Sequence, residues 1–391
     1  MLSEVHSLFL PVKTGSVHCA VTSPPYLGQR LYGQLRVRWP ACEYRIWPTL
    51  PPMRIPAWHG QLGQEPSPEL YIGHIVLIMR EIYRCLHPSG TLWLNMADVH
   101  WGGKGKSSQA WSTANQDRQT IQRSYHQVSG MGETRPQDHR HPGIKPKDLT
   151  GLPWAVAFTL RCEGWYLRLD GIWAKGRDGE IDESGYGQSM PGSQEDRPTL
   201  THEYVFMLGR TARPFFDRHA VRARWGDGSH FLRSVWILNK ENATRVNHFA
   251  PFPVELPEVC IRASTSEAGY CRRCGYPWVR QVARDDRLTG DGAFGNGGSK
   301  WMGQDEQSSG VRARKSLRPL KGNNFPAPET IGWQPSCDCN AGDPVPGVVM
   351  DPFIGSGTTA LAAEKLGRRW IGMDVNREYL VGAAGRLEWS R

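Results

Sequence analysis

The chain has 391 residues, 39% of them hydrophobic, with nine cysteines, sixteen tryptophans and a formal net charge of +9. That length can bury a sizeable core and holds one large domain with insertions, or two domains. No apolar run approaches the ~20 residues that span a bilayer, and no charged-then-apolar signal opens the chain, so a cytoplasmic protein without a disulfide framework is expected, and its positive charge favours an acidic polymer as partner.

Val17 to Val21 predicts a buried strand. Thr22-Ser23-Pro24-Pro25-Tyr26 follows its C-terminal end, the edge at which open α/β sheets bind ligands. Alone, Ser-Pro-Pro-Tyr also suits a plain proline turn. Leu27 to Pro68 is rich in proline and arginine without a sustained period, and reads as a long surface loop or insertion, either touching DNA or a disordered connector. Glu69 to His87 predicts an amphipathic helix, with Ile72, Ile75, Val76, Met79, Ile82, Tyr83 and Leu86 at three- and four-residue spacing. Pro88-Ser89-Gly90 stops it before a strand from Thr91 to Met96. Asp98, just beyond, is open to a place near the active site or to a capping role.

Residues 101–147 are polar and aperiodic, a second insertion. Gly151 to Cys162 reads as a helix, Tyr166 to Trp173 as a strand leading to Lys175, and Arg177 to Asp196 as a polar loop. His202 to Leu208 reads as a strand, paired with Pro214 to Asp217 as a hairpin. Ser234-Val235-Trp236 and His248-Phe249-Ala250-Pro251-Phe252-Pro253 come next, before a helix opening over Glu255 to Arg262. Phe249 and Phe252 suit the cover of an apolar or cationic ligand face, and suit a core equally well.

Cys271-Arg-Arg-Cys274-Gly275 and Cys337-Asp-Cys339 bracket a glycine-rich, basic stretch from 285 to 330. Cys-x-x-Cys-Gly is a knuckle shape, and four thiolates would close a structural zinc site with no open position. Free thiols and a redox pair are the alternatives. The metal would pin both ends of an insertion with no evident core, in which Arg312, Arg314, Lys315, Arg318 and Lys321 could reach phosphate.

Val348 to Met350 reads as a strand ending in Asp351, Gly355-Ser356-Gly357 as a tight turn, and Thr358 to Leu366 as a helix with Leu361, Ala362 and Leu366 on one face. Trp370 to Met373 is a further strand, and Asp374 at its end is placed for ribose hydroxyls. The turn lacks the Lys of a phosphate loop and does not complete G-x-G-x-x-G.

Asp351-Pro352-Phe353-Ile-Gly355-Ser356-Gly357-Thr358-Thr resembles the S-adenosylmethionine loop of the amino-group DNA methyltransferases, and Ser23-Pro24-Pro25-Tyr26 resembles their catalytic tetrapeptide. Their order in the chain resembles the circularly permuted β class. The resemblance implies an α/β, Rossmann-like methyltransferase sheet with the catalytic half first (1–264, insertions at 27–68 and 101–147) and the cofactor half last (346–391). Between them lies the 265–345 insertion, a candidate for target recognition, which from the cysteine spacing is expected to be a small zinc-bound unit held by Cys271, Cys274, Cys337 and Cys339.

In that family's terms Ser23 Oγ and the Pro24 carbonyl would accept the two N–H bonds of the target amine. Tyr26 would stack on a flipped base, and alignment would be the main catalytic lever. The S-adenosylmethionine residues would be Thr22, His248, Phe249, Ala250, Phe252, Pro253, Asp351, Pro352, Phe353, Gly355, Ser356, Gly357, Thr358, Asp374 and Asn376. Within that set, Asp351 and the turn amides, with Ser356 and Thr358, would hold the amino-acid end. The segment from His248 would lie over the methionine part, and Asp374 would take the ribose. Asp196-Arg197-Pro198-Thr199 with His202-Glu203 also resembles the family, with no chemical step assigned. The family's Gly-Asp pair, which helps fix adenine, is not found before Val17: another group takes that role, or the natural start lies upstream.

Ser at the first motif position resembles the N4-cytosine group, where N6-adenine enzymes usually have Asp or Asn. The expectation is therefore a cytosine-N4 methyltransferase acting on double-stranded DNA, with a restriction endonuclease as a fitting counterpart. The alternatives are an adenine-N6 enzyme, an RNA substrate, or a zinc-stabilised nucleic-acid-binding protein with a vestigial methylase core.

Overall fold

The computed structural model of the protein describes residues 2–4, 8–28, 36–102, 141–175, 196–221, 231–238, 252–283 and 329–389. His248, Phe249 and Ala250, most of the polar segments 101–147 and 177–196, and the cations from Arg312 to Lys321 lie outside the described residues.

In chain order the strands up to the first helix are β1 (Leu2–Glu4), β2 (Val17–Thr22), β3 (Val37–Trp39), β4 (Cys42–Tyr44), β5 (Met53–Ile55) and β6 (Trp58–Gly60). Then come α1 (Pro68–Cys85), β7 (Leu86–Met96), α2 (Leu152–Cys162), β8 (Tyr166–Lys175), β9 (His202–Gly209), β10 (Val235–Leu238) and α3 (Glu255–Ser264). The C-terminal part holds β11 (Trp278–Val282), β12 (Thr330–Pro335), β13 (Val348–Asp351), α4 (Thr358–Lys365), β14 (Arg369–Asp374) and α5 (Arg377–Trp389).

Eight strands form one sheet in the order β1-β14-β13-β2-β7-β9-β8-β10. Only β9 is reversed within it, antiparallel to β7 and β8, while the remaining neighbours pair in parallel. The ends of β2, β7, β8, β13 and β14 therefore share one edge with the start of β9. β2 is buried at all six positions, which is why it reads as a continuous apolar run rather than an alternation. One face packs Ile75, Met79, Leu94, Leu160 and Phe206 together with α1 and α2. The other packs Val21, Trp93, Val205, Val259 and Ala362 with α3 and α4. Among the described residues no helix is long and apolar enough to cross a membrane.

α1 starts where expected: Ser67 caps it by accepting from Leu70 N, Pro68 follows, and Arg84 stands in its last turn. The helix is covered on two sides. The segment read as a surface loop or disordered connector is instead a pair of short antiparallel ladders, β3 with β6 and β4 with β5, laid over the helix. Trp39, Tyr44 and Ile55 point inward, and His74 of α1 stacks on Trp39 and Trp58 at centroid distances of 4.4 and 5.5 Å. His74 Nδ1 also meets Glu65 Oε1 at 2.8 Å, with both side chains fully buried. Three-residue strands between prolines are too short to show a period, so the sequence hid them.

Two other expectations change. Residues 214–217 do not form a hairpin with β9, because both edges of β9 are already taken by β7 and β8. They turn away instead, with Phe215 N donating to Ser89 O and Asp217 N to Ala263 O. Asp98 takes the capping role left open for it, accepting from Thr150 Oγ1 and from the amides of Gly151 and Leu152 at the start of α2.

Candidate active site and metal centre

The two distant motifs meet. β2 and β13 are neighbours, in register at Cys19 with Val349 and Ala20 with Met350. At their ends Thr22 Oγ1 donates to Asp351 Oδ1 at 2.7 Å. The Asp351 carboxylate also accepts from Thr359 Oγ1 at 2.7 Å and from Phe353 N at 3.0 Å. Burial outweighs those bonds and pushes this carboxyl up to about 6, with Asp374 adding to the rise. Asp374 accepts from Gly355 N at 3.0 Å and Asn376 N at 2.9 Å, and burial raises it as well.

The glycine turn is built from left-handed backbone, with φ of 50° at Gly355 and 81° at Gly357. A Cβ at Gly357 would stand 3.1 Å from the Ala383 methyl of α5, so the turn and the last helix touch only because that atom is missing. Ser356 and Thr358 are buried under Arg386 of α5, whose Nη1 donates to Thr358 Oγ1 at 2.9 Å. The amides of Phe353, Gly355 and Gly357 are committed within the turn. Asp351 and these amides therefore shape the loop rather than project outward. Among the described residues neither Asp351 nor Asp374 has a salt-bridge partner. A buried carboxylate and a half-buried one without a cation suit a ligand that carries positive charge and hydroxyls, as the expected cofactor does. Phe252 is half-buried against the cluster that contains Val21 and Val349, and Pro253 is buried.

On the other side of β2, the tetrapeptide enters a hydrogen-bond chain. Ser23 Oγ donates to Tyr26 Oη at 3.0 Å, and Tyr26 Oη lies 2.8 Å from Glu203 Oε2 and 3.1 Å from Asn95 Oδ1. Lys175 Nζ pairs with Glu203 Oε1 at 2.5 Å. Burial, followed by the Glu203 charge, raises the Tyr26 phenol well above its ordinary value. Tyr71 Oη of α1 donates to the Pro25 carbonyl at 2.9 Å. Sequence reasoning missed Asn95, Lys175 and Tyr71 as parts of this site, and gave Glu203 no role. The signal was present for two of them: a polar residue inside the apolar run Thr91–Met96, and a lysine ending a strand.

The sheet register also places the chain's opening residues. β1 runs beside β14 with Ser3 level with Met373 and Glu4 level with Asp374.

Cys271, Cys274, Cys337 and Cys339 converge, their four Sγ atoms all within 4.8 Å of one another. A tetrahedral zinc with ~2.3 Å bonds needs sulfurs ~3.8 Å apart, so the cluster is near the required size. Gly275 N donates to Cys271 O at 2.8 Å with Gly275 at φ 76°, the turn of the knuckle. The Cys274 amide foremost holds the Cys271 thiol down at about 6, favouring the thiolate that a metal binds. The knuckle sits on the far edge of the sheet. His87 Nε2, at the start of β7, lies 3.0 Å from Cys274 O. His18, near the start of β2, has its Nδ1 accepting from Val348 N at 2.9 Å and also bonds the Gly275 backbone. Burial chiefly lowers His18 to about 3, so it docks as a neutral ring. From His18 to Ser23 the strand climbs roughly 16 Å, at ~3.3 Å per residue.

The family profile N6_N4_Mtase, DNA methylase, matches residues 17–271 and 341–384. The type II methyltransferase M.XycI of Xanthomonas campestris pv. cyanopsidis is 28% identical over 379 residues, covering 96% of this chain and 82% of that protein. M.Cfr9I of Citrobacter freundii, also a type II methyltransferase, is 28% identical over 383 residues, 98% of this chain and 85% of its own. Among solved structures, the cytosine-N4-specific PvuII DNA methyltransferase matches with a TM-score of 0.51 at 14% identity, over 98% of this chain and 85% of that one, a likeness of fold.

Proposed function

Since the chain belongs to the DNA methylase family N6_N4_Mtase, we propose that it transfers a methyl group from S-adenosylmethionine to the exocyclic N4 of cytosine in double-stranded DNA. The observation that carries this reading is the 2.7 Å bond from Thr22 to Asp351, which fastens the catalytic turn to the glycine loop at one sheet edge. The donor, when bound, supplies an electrophilic methyl on a sulfonium.

The protein's own part is positioning. An exocyclic amine is a poor nucleophile because its lone pair is delocalised into the ring. Ser23 Oγ and the Pro24 carbonyl accept its two N–H bonds and draw the nitrogen toward tetrahedral geometry. Tyr71 occupies the neighbouring Pro25 carbonyl, and the two prolines keep the pair of carbonyls from turning. Such alignment contributes several kcal/mol, up to ~7–11 in ideal systems. The base reaches this pocket only outside the helix stack. Asp351 and Asp374 supply negative charge for the cofactor, Asp374 and Asn376 toward the ribose, with Ser356, Thr358 and Phe252 around them.

Ser23 at the first motif position favours cytosine, and the PvuII enzyme with the related fold is named cytosine-N4-specific. The four cysteines would hold a structural zinc, which would pin the two ends of the 265–345 insertion to each other. The type II methyltransferases among the relatives favour a role beside a restriction endonuclease. The test is to incubate unmodified genomic DNA with the protein and S-adenosylmethionine and analyse the nucleosides. N4-methylcytosine is expected. N6-methyladenine as sole product would move the target base, and absence of any methylated nucleoside would overturn the reaction.

A further inference from the structure

The site described above contains an ion pair that the methyl transfer as outlined does not use. Glu203 opens the single reversed strand β9, and that reversal is what brings it to the edge where β7 and β8 end. There it touches Tyr26 at 2.8 Å and Lys175 at 2.5 Å, while remaining buried.

The direction of the hydrogen bonds follows from the groups. A carboxylate only accepts, so Tyr26 Oη must donate toward Glu203. Its other neighbour, Asn95 Oδ1, is also an acceptor, because the Asn95 amide nitrogen is taken by the Tyr204 carbonyl at 3.1 Å. With its one proton turned that way, Tyr26 Oη can only accept from Ser23 Oγ, which lies 3.0 Å away. The Ser23 hydrogen is thus held away from the target amine, and its lone pairs remain for the amine's N–H. Without Glu203 only the longer contact to Asn95 Oδ1 would hold this sense, and a serine that donates toward the amine would compete for the very lone pair that attacks.

We infer that Glu203, braced by Lys175, is the positioning residue that orients Ser23 through Tyr26, and that it is the final acceptor of the proton which the amine gives up. The inference rests on the reaction proposed above. As the nitrogen–methyl bond forms and the carbon–sulfur bond breaks, the nitrogen carries one proton too many. Ser23 Oγ takes that proton and passes its own to Tyr26 Oη, which passes its own to the Glu203 carboxylate. Glu203 ends as the carboxylic acid. No charge is left on either hydroxyl, in keeping with a phenol whose burial disfavours the phenolate.

The experiment compares single-turnover methylation rates and equilibrium S-adenosylmethionine binding for wild type, Glu203→Gln, Glu203→Asp, Tyr26→Phe and the Glu203→Gln/Tyr26→Phe double variant. Expected are rate losses of roughly a hundredfold or more for Glu203→Gln and for Tyr26→Phe, the range in which a positioned proton acceptor contributes. Cofactor affinity should stay within about twofold, since neither group is placed toward that ligand. Glu203→Asp should recover part of the rate, and the double variant should be no slower than the worse single one, because both act through one chain. Multiplying losses in the double variant, or a Glu203→Gln rate within about twofold of wild type, would overturn the inference. If Glu203→Gln does not fold, Tyr26→Phe decides alone, and an unchanged rate there refutes the chain. A wild-type protein that methylates neither base removes the parent reaction, and this inference with it.

Discussion

The most direct physical test concerns Asp351. In an unfolded chain its carboxyl sits near 3.8, and in the fold it is pushed up to about 6 because burial outweighs the bonds from Thr22, Thr359 and Phe353. A raised carboxyl means that the folded protein keeps a proton that the unfolded chain has already released. Stability from this group is therefore lost as pH rises through the window between those values. About two pH units at ~1.4 kcal/mol per unit amounts to ~3 kcal/mol. Asp351→Asn removes the ionisation but can keep all three partners. Its carbonyl oxygen accepts from Phe353 N and Thr22, and its amide donates to the Thr359 hydroxyl, which accepts as readily as it donates. Urea unfolding at about pH 4 and about pH 7.5 should show the variant gaining ~3 kcal/mol relative to wild type between the two. Parallel stability profiles would refute the claim that this carboxyl is held ionised against its environment. The same buried charge should make wild-type affinity for S-adenosylmethionine rise across the window, because a cation restores the anion beside it, and that rise should be absent in Asp351→Asn.

Other outcomes follow from the same structure. Purified protein should contain one zinc per chain by elemental analysis, and Cys274→Ser should lose it together with several degrees of melting temperature. Glu65→Ala leaves His74 buried without its partner and should cost about 3–5 kcal/mol in urea unfolding. Asp98→Ala strips the start of α2 of its cap and should cost about 0.5–2 kcal/mol, with methylation rate unchanged. Tyr71→Phe frees the Pro25 carbonyl and should cost ~1 kcal/mol in stability but a larger fraction of turnover, with cofactor affinity intact.

What could be read from the chain and what could not divide along physical lines. β2, β13, most of α1 and the second half of β7 announced themselves because each buries an apolar run, whereas Leu86–Gly90, read as the end of the helix and its stop, is the first half of β7. The glycine loop and the tetrapeptide were legible because their unusual residues are demanded by backbone geometry, and the meeting of residue 22 with residue 351 followed once both were placed at strand ends. The double ladder over α1 was not legible, since its strands are three residues long and its stability lies in Trp39, Trp58 and the Glu65–His74 pair rather than in a pattern. Glu203 and Lys175 are 28 residues apart and gain meaning only through the reversal of β9, a topological fact no local window contains. Arg386, which covers Ser356 and Thr358, lies in a terminal helix whose sequence shows no clear apolar face.

The two histidine contacts to Cys274 and Gly275 tie the cysteine knuckle to strand ends that face away from the reaction. Loss of the metal would therefore unfasten the molecule from behind, without reaching the groups that meet the target base. In a culture starved of that metal, the shortage would appear as fewer intact molecules per cell. Each survivor would still turn over at its full rate.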